Sequence, residues 1–308
     1  MSFVYVIVGF VMLIIGADKF VSGASSLAKK LGVPSLIIGL TIVSFGTSSP
    51  EFAVSITAAL NGSSDISVGN AVGSSIFNLL MVLGASAIVA PILIEKELIN
   101  RDLTASIISI ITVMAFVLID GNISRLDALL LLALYGVVFY LQVKSALKNK
   151  NDEVDDEVEM TNNPMKILVY IVFGLAFIIG GGQIAVFGAT EIAVLFGLSE
   201  ALIGLTVVAV GTSLPEFITS VIATKKGETD IAIGNVVGAN IFNIFVNLGV
   251  TSLICPITTD PSAIYDLIFL LFVAITTFAI GKTGQMNRKF GIMYVLMYVG
   301  YTIYLIAR

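Results

Sequence analysis

Two stretches of this chain repeat one arrangement of residues that could bind a cation. GTSSPEF at residues 46–52 and GTSLPEF at 211–217 each place a glutamate, Glu51 or Glu216, behind the same Thr-Ser pair and the same proline. Both stretches lie within long runs of Leu, Ile, Val, Ala and Gly. An acidic side chain at the centre of a bilayer costs roughly 2.5–3.5 kcal/mol on insertion scales and usually marks an ion pathway. The repetition predicts that the two carboxylates act together.

The residues around each glutamate predict a cluster of oxygen ligands. Pro50 and Pro215 have no backbone N–H, so each frees a carbonyl one turn earlier in its helix. Hydroxyl oxygens close in sequence come from Ser44, Thr47, Ser48, Thr212 and Ser213. Carboxylate, hydroxyl and carbonyl oxygens suit hard cations such as Ca²⁺, Na⁺ and Mg²⁺. The motifs therefore predict a site for such a cation.

A second pair of polar segments follows the two motifs. In the first half these residues are Asn70, Ser74 and Asn78, and in the second half Asn235, Ala239 and Asn243. The four-residue spacing puts each set on one helix face. We expect Asn78 and Asn243 to face the site. For Asn70 and Asn235, a hydrogen bond between helices and a ligand role both remain open.

The remaining composition excludes several function classes. The chain has no histidine and a single cysteine, Cys255, which excludes zinc clusters, histidine-based catalysis and intrachain disulfides. The net charge of −5 has no pattern that favours nucleic acid. We therefore expect no enzyme activity and no cofactor. The expected partners are the bound ions and the surrounding lipid bilayer; the sequence leaves protein partners open and is compatible with a monomer.

Composition and length also predict the fold class, an all-α integral membrane protein. The chain is 57% hydrophobic and 12% charged, with a mean hydropathy of +1.04, and apolar runs of roughly 20 residues recur along it. Ten transmembrane helices are predicted, near 3–28, 34–60, 67–93, 103–119, 126–146, 165–194, 199–224, 232–256, 262–281 and 288–307.

The two halves of the chain are duplicates. Residues 35–84 and 200–249 align without a gap and share 25 identities in 50 positions. Five spans per half is an odd number, so the second copy enters from the opposite side, as in many secondary transporters with inverted-topology repeats. The predicted organisation is a repeat at 1–147, an acidic linker at 148–164 and an inverted repeat at 165–308.

The basic residues predict the orientation of the chain. Thirteen of the 16 Lys and Arg residues flank the gaps after the odd-numbered spans. By the positive-inside rule these gaps face the cytoplasm. Both termini are then outside and the central linker is cytoplasmic, in a multi-pass protein of the cell membrane.

At the two motifs the chain resembles the cation/Ca²⁺ exchanger superfamily, and specifically its prokaryotic Na⁺/Ca²⁺ exchanger branch. The likeness implies that Glu51 and Glu216 bind one Ca²⁺ with the carbonyls of Thr47 and Thr212, and alternately bind Na⁺. It implies a cytoplasmic-side Na⁺ position formed by the Ser44 carbonyl, Thr47, Ser48, Glu51 and Ser74. The outer position uses the Ala209 carbonyl, Thr212, Ser213 and Glu216. Asn78 and Asn243 then lie between the two positions.

Two departures from the family pattern bear on ion specificity. Ala239 stands where relatives carry a serine that mirrors Ser74, so the outer Na⁺ position lacks one hydroxyl. Asn243 stands where K⁺-dependent relatives have aspartate, which argues against K⁺ co-transport. The expected function is electrogenic Na⁺/Ca²⁺ exchange by alternating access. An H⁺/Ca²⁺ exchanger is the alternative, and an intramembrane hydrolase and a channel are more remote ones.

Overall fold

The computed structural model describes residues 1–62, 65–148, 161–196, 209–260 and 262–307. These residues form helices α1 (Ser2–Leu31), α2 (Ser35–Thr47), α3 (Ser49–Leu60), α4 (Ile66–Val89), α5 (Leu98–Asp120), α6 (Arg125–Lys148), α7 (Pro164–Leu195), α8 (Ala209–Thr212), α9 (Leu214–Lys225), α10 (Thr229–Ile254), α11 (Ala263–Gly281) and α12 (Arg288–Ala307). Short strands are β1 (Ile92–Leu93), β2 (Asn122–Ile123), β3 (Ile257–Thr258) and β4 (Gln285–Met286).

The helices confirm an all-α membrane protein. Within the described ranges, eight helices are long and apolar enough to cross a membrane, and α2 with α3 makes a ninth if that bent pair is one span. The remaining predicted span, 199–224, lies partly outside the described residues and remains a prediction, as does the inverted repeat. Most of the predicted linker, 149–160, also lies outside the described residues.

The predicted span over 34–60 consists of two helices. Helix α2 ends at Thr47, α3 begins at Ser49, and their axes differ by 45°. Pro50 occupies the first turn of α3, where a proline is compatible with a helix start but not with continuation of the preceding helix. The break therefore lies just before Glu51, and Glu51 is in the first turn of α3.

Helix α10 forms the centre of the molecule. All its residues from Ile231 to Phe245 are buried, and α4 is the next most buried of the spanning helices. Helices α1, α6, α7 and α12 instead carry many exposed apolar side chains, as expected for surfaces that face lipid rather than water. Helices α4 and α10 carry the polar residues of both repeats, so these residues lie inside the bundle.

Contacts between the two halves occur in reciprocal pairs. Strand β1 pairs antiparallel with β4, and β2 pairs antiparallel with β3. Arg125 Nε donates to the carbonyl of Leu253 at 3.1 Å, and Arg288 Nε donates to the carbonyl of Ile88 at 2.9 Å. A cation stabilises the carbonyl end of a helix, so each half holds a helix end of the other. The two halves thus fold against each other.

Helices α1 and α7 form an extended contact that relies on glycine. A Cβ atom on Gly9 would lie 2.6 Å from the carbonyl oxygen of Gly181, and one on Gly174 would lie 2.8 Å from that of Gly16. Such distances leave no room for a side chain. The two longest helices therefore pack backbone to backbone, as small residues allow in membrane helices.

Candidate ion-binding site

Each motif glutamate lies at the start of a helix inside the bundle. Glu51 is in the first turn of α3 after the break at Ser48, and Glu216 is in the first turn of α9 after Ser213. Both glutamates are completely buried. The N-terminal end of a helix stabilises negative charge, which offsets part of the cost of a carboxylate in a low-dielectric interior. The break between helices thus positions each acid at a helix start, where part of the cost of its charge is offset.

The two motifs exchange hydrogen bonds. Ser48 Oγ donates to Glu216 Oε1 at 2.8 Å, and Ser213 Oγ donates to Glu51 Oε1 at 2.9 Å. Both serines are fully buried. Each serine therefore holds the carboxylate of the other repeat, and the two copies of the motif form a single site.

Asn70 and Asn235 connect helices in equivalent ways. Asn70 Nδ2 donates to the carbonyl of Glu51 and to Ser55 Oγ, both at 3.0 Å. Asn235 Nδ2 donates to Ser220 Oγ at 3.0 Å and to the carbonyl of Glu216 at 3.5 Å.

The amide oxygen of Asn235 has a further contact across the repeats, since Thr47 Oγ1 donates to Asn235 Oδ1 at 3.0 Å. The two amide donors are thus used to fix the backbone at the glutamates. Of the two roles left open by the sequence, the contacts show interhelical bonding, and a ligand role for either residue stays a prediction.

Several buried polar atoms at the site have no hydrogen-bond partner among the described residues. They are Glu51 Oε2, Glu216 Oε2, and both side-chain amide atoms of Asn78 and of Asn243. Each of these side chains is completely buried. Buried polar atoms nearly always have a hydrogen-bond partner, and exceptions call for an explanation such as a role in binding an ion. One free oxygen per carboxylate and two free amide oxygens match the ligands of a hard cation.

Asn78 and Asn243 also share an unusual backbone. Asn78 begins a π-helical segment, Asn78–Val82, and Asn243 lies in the matching segment, Phe242–Asn247. Such turns are rare inside α-helices and occur frequently at functional sites. The sequence contains no signal that predicted them.

The remaining predicted site residues differ in their surroundings. Ser74 Oγ lies at hydrogen-bond distance, 3.1 Å, from Ser213 Oγ, whereas the buried side chain of Ala239 has no polar atom. The carbonyl of Ser44 accepts from the backbone N–H of Ser48 at 2.9 Å. Ala209 and Thr212 are the first and last residues of α8.

Fold and site together define a class of protein: a multi-pass, all-α membrane protein with two buried carboxylates that share one site. Comparison with known proteins is more specific. The family model described as sodium/calcium exchanger protein matches residues 1–144 and 166–307. The chain therefore belongs to the sodium/calcium exchanger family.

Individual relatives support this assignment. The inner membrane protein YrbG of Escherichia coli is 37% identical over 297 residues, which cover 93% of this chain and 91% of the relative. The sodium/calcium exchanger MaX1 of Methanosarcina acetivorans is 31% identical over 351 residues, covering 99% and 98%. A solved structure of the sodium-calcium exchanger NCX_Mj superposes with a TM-score of 0.86 at 31% identity, covering 99% of this chain and 98% of that one.

Proposed function

We propose that this protein is a secondary active antiporter that exchanges Na⁺ for Ca²⁺ across the cell membrane by alternating access. The observation that carries the proposal is the pair of buried glutamates, each held at one oxygen by a serine of the other repeat and free at the second oxygen. Two carboxylates provide the charge that neutralises one Ca²⁺, and their free oxygens are of the type that Ca²⁺ binds.

Exchange rather than leak follows from the charge of this site. A single Na⁺ neutralises only one of the two carboxylates, so several Na⁺ are needed to replace one Ca²⁺. The empty site would expose two unpaired charges to a low-dielectric interior, and such uncompensated charges are costly. The loaded site therefore changes access more readily than the empty one. Transport of more than two Na⁺ per Ca²⁺ makes the exchange electrogenic.

In this proposal the ligands follow the two repeats. Ca²⁺ is bound by Glu51, Glu216 and the carbonyls of Thr47 and Thr212. A cytoplasmic-side Na⁺ position uses the Ser44 carbonyl, Thr47, Ser48, Glu51 and Ser74, and an outer position uses the Ala209 carbonyl, Thr212, Ser213 and Glu216. Asn78 and Asn243 lie between them, and the neutral amide of Asn243 makes transport independent of K⁺.

Alternating access would use the α1–α7 pair. The close backbone contact at Gly9 and Gly174 supports movement of α1 and α7 as one unit past the helices that carry the site. The proposed topology is ten spans in two inverted repeats, with both termini outside and the 148–164 linker in the cytoplasm. Repeats related in this way give the two access states similar structures.

An H⁺/Ca²⁺ exchanger is the second candidate, favoured by one observation. Ala239 stands at the position of the second repeat that is equivalent to Ser74, so the outer Na⁺ position lacks one hydroxyl. In this alternative the two glutamates would take up protons instead of Na⁺ when Ca²⁺ leaves.

The deciding experiment is ⁴⁵Ca²⁺ uptake into proteoliposomes. Vesicles loaded with Na⁺ are compared with vesicles loaded with choline and with choline vesicles that carry a pH gradient. Na⁺/Ca²⁺ exchange requires uptake that depends on internal Na⁺. Uptake driven by the pH gradient without Na⁺ would replace the proposal with proton exchange, and uptake in choline alone would indicate a channel.

A further inference from the structure

A cleft of about 710 Å³ lies between helices α5 and α6, a size typical of ligand pockets. Phe245 of α10 also lines this α5–α6 cleft. It lies two residues beyond Asn243, on the same π-helical segment. The glutamates of the ion-binding site do not line the cleft, so the cleft is a separate feature of the fold.

The α6 wall of the cleft changes from apolar to basic along its length. Its apolar part is Leu134, Val137, Val138 and Leu141, which share one helix face by their spacing of three and four residues. Lys144 and Lys148 continue the same wall. Lys148 lies 14 residues after Leu134, a rise of about 21 Å at 1.5 Å per residue. This length is close to one hydrocarbon leaflet of about 15 Å with its polar headgroup region. This profile matches a phospholipid that stands along the helix.

The α5 wall provides an arginine at the basic end. Arg101 lines the cleft and is fixed by the fully buried Asp102, with Nε to Oδ1 at 3.1 Å and Nη2 to Oδ2 at 2.8 Å. Gln142 Nε2 also donates to Asp102 Oδ1 at 3.0 Å.

The remaining terminal nitrogen of Arg101 has free donor capacity. Nη1 has no hydrogen-bond partner among the described residues, and it lies 3.8 Å from Glu97 Oε2. A guanidinium with a fixed orientation and free N–H groups is well suited to a phosphate. Asp102 therefore orients Arg101 towards the basic end of the cleft without using all of its donors.

The charge of the cleft favours an anion. Lys96, Arg101, Lys144 and Lys148 line it against a single acid, Glu97. The positive-inside rule accounts for lysines in a cytoplasmic flank, but not for an arginine that a buried aspartate holds in place. The basic end is thus more specific than the general charge of that membrane face.

The equivalent cleft of the second half provides an internal comparison. It has a volume of about 400 Å³ and lies between α11 and α12, where the residues that line it include Asp266, Phe269 and Tyr304 but no Lys or Arg. Asp266 stands 165 residues after Arg101, at the equivalent place in the repeat. The fold therefore forms a cleft in both halves, but only the first has a basic end.

We propose that the α5–α6 cleft binds one anionic phospholipid, with its phosphate between Arg101 and the two lysines of α6 and one acyl chain along the apolar wall. Basic pockets between membrane helices on the cytoplasmic side recognise anionic headgroups in this way. The acyl chain would lie against Phe245, so the lipid contacts the segment that carries Asn243.

The absence of tryptophan from the chain allows a direct test. A single tryptophan is introduced at Val137, in the cleft, or at Phe139, which is exposed on another face of α6 at a similar depth. Each variant is reconstituted in phosphatidylcholine vesicles, and fluorescence quenching is measured while brominated phosphatidylglycerol is added. We expect half-maximal quenching at position 137 at a mole fraction at least about fivefold lower than at position 139, because each basic residue contributes about that factor at an anionic surface.

Substitutions then test the basic end. Arg101→Gln or Lys144→Gln should raise the phosphatidylglycerol fraction needed at position 137 by about fivefold. The control Lys30→Gln, a basic residue outside the cleft, should leave it unchanged. Equal quenching at positions 137 and 139 would overturn the proposal. It would also be overturned if Arg101→Gln and Lys144→Gln left the phosphatidylglycerol fraction for half-maximal quenching at position 137 unchanged. Either result is expected if a different molecule occupies the cleft.

Discussion

Removal of the Ser48 hydroxyl tests the exchange of hydrogen bonds between the repeats. Ser48 Oγ donates to Glu216 Oε1 at 2.8 Å in a fully buried environment. Hydrogen bonds to charged groups contribute roughly 1.5–3 kcal/mol, which corresponds to about a 10- to 150-fold change in a dissociation constant. We therefore expect Ser48→Ala to weaken Ca²⁺ binding by that factor, measured by isothermal titration calorimetry on the purified protein.

The neighbouring serine provides the matched control. Ser49 Oγ donates to the carbonyl of Phe45 at 3.0 Å, within its own stretch of chain. Ser49→Ala should change Ca²⁺ affinity by less than about twofold, because surface substitutions away from special features usually cost under about 0.5 kcal/mol.

A double-mutant comparison identifies the partner of Ser48. Glu216→Asp shortens the side chain by one carbon–carbon bond of about 1.5 Å, which takes the carboxylate beyond hydrogen-bond distance of Ser48. Ser48→Ala should then cost little extra in the Glu216→Asp background, but its full factor in the Glu51→Asp background. An equal cost in both backgrounds would refute the crossed arrangement, and so would Ser48→Ala with unchanged affinity.

Three further predictions concern charge, ion selectivity and packing. Glu51→Gln and Glu216→Gln should each abolish ⁴⁵Ca²⁺ transport, because one carboxylate cannot neutralise Ca²⁺, while size-exclusion and circular-dichroism profiles stay unchanged; normal transport in both variants would contradict the site. Ala239→Ser should lower the Na⁺ concentration for half-maximal exchange by adding an oxygen ligand, and an unchanged Na⁺ titration would remove this position from the site. Gly174→Ala should lower the unfolding temperature through a clash that costs about 1–3 kcal/mol, because its Cβ would lie 2.6 Å from the backbone nitrogen of Phe20. The control Gly136→Ala should leave the unfolding temperature unchanged, because the space around Gly136 is open. Equal unfolding temperatures of the two variants would argue against tight α1–α7 packing.

Several features of the site could be read from local sequence. The apolar composition, the length of each span and the residues of each motif can be read within a few helical turns. The glutamates stand out because acids are rare in such surroundings. The proline before each glutamate also marked a weak point in the helix. The structure adds the size of the disturbance, a 45° break with the acid in a new first turn, because proline predicts a disturbance but not its angle.

Other features required the tertiary structure. The sequence showed Ser48 beside Glu51, yet Ser48 bonds Glu216, 168 residues away. The sequence did not show that Asn70 and Asn235 each bond the backbone carbonyl of the glutamate in the same repeat. The π-helical turns at Asn78 and Asn243 had no sequence signal that we recognised.

The sequence by itself determined what kind of molecule this is: a membrane-spanning, duplicated chain with one acid per repeat in an oxygen-rich motif. Composition and periodicity decide this because the lipid environment acts on each segment separately. Only the tertiary structure decided which side chains share one site and which connect helices. The shared site and the interhelical contacts depend on the relative placement of segments about 165 residues apart. A shift of one residue along a helix turns a side chain by about 100° and would break the crossed serine–glutamate bonds.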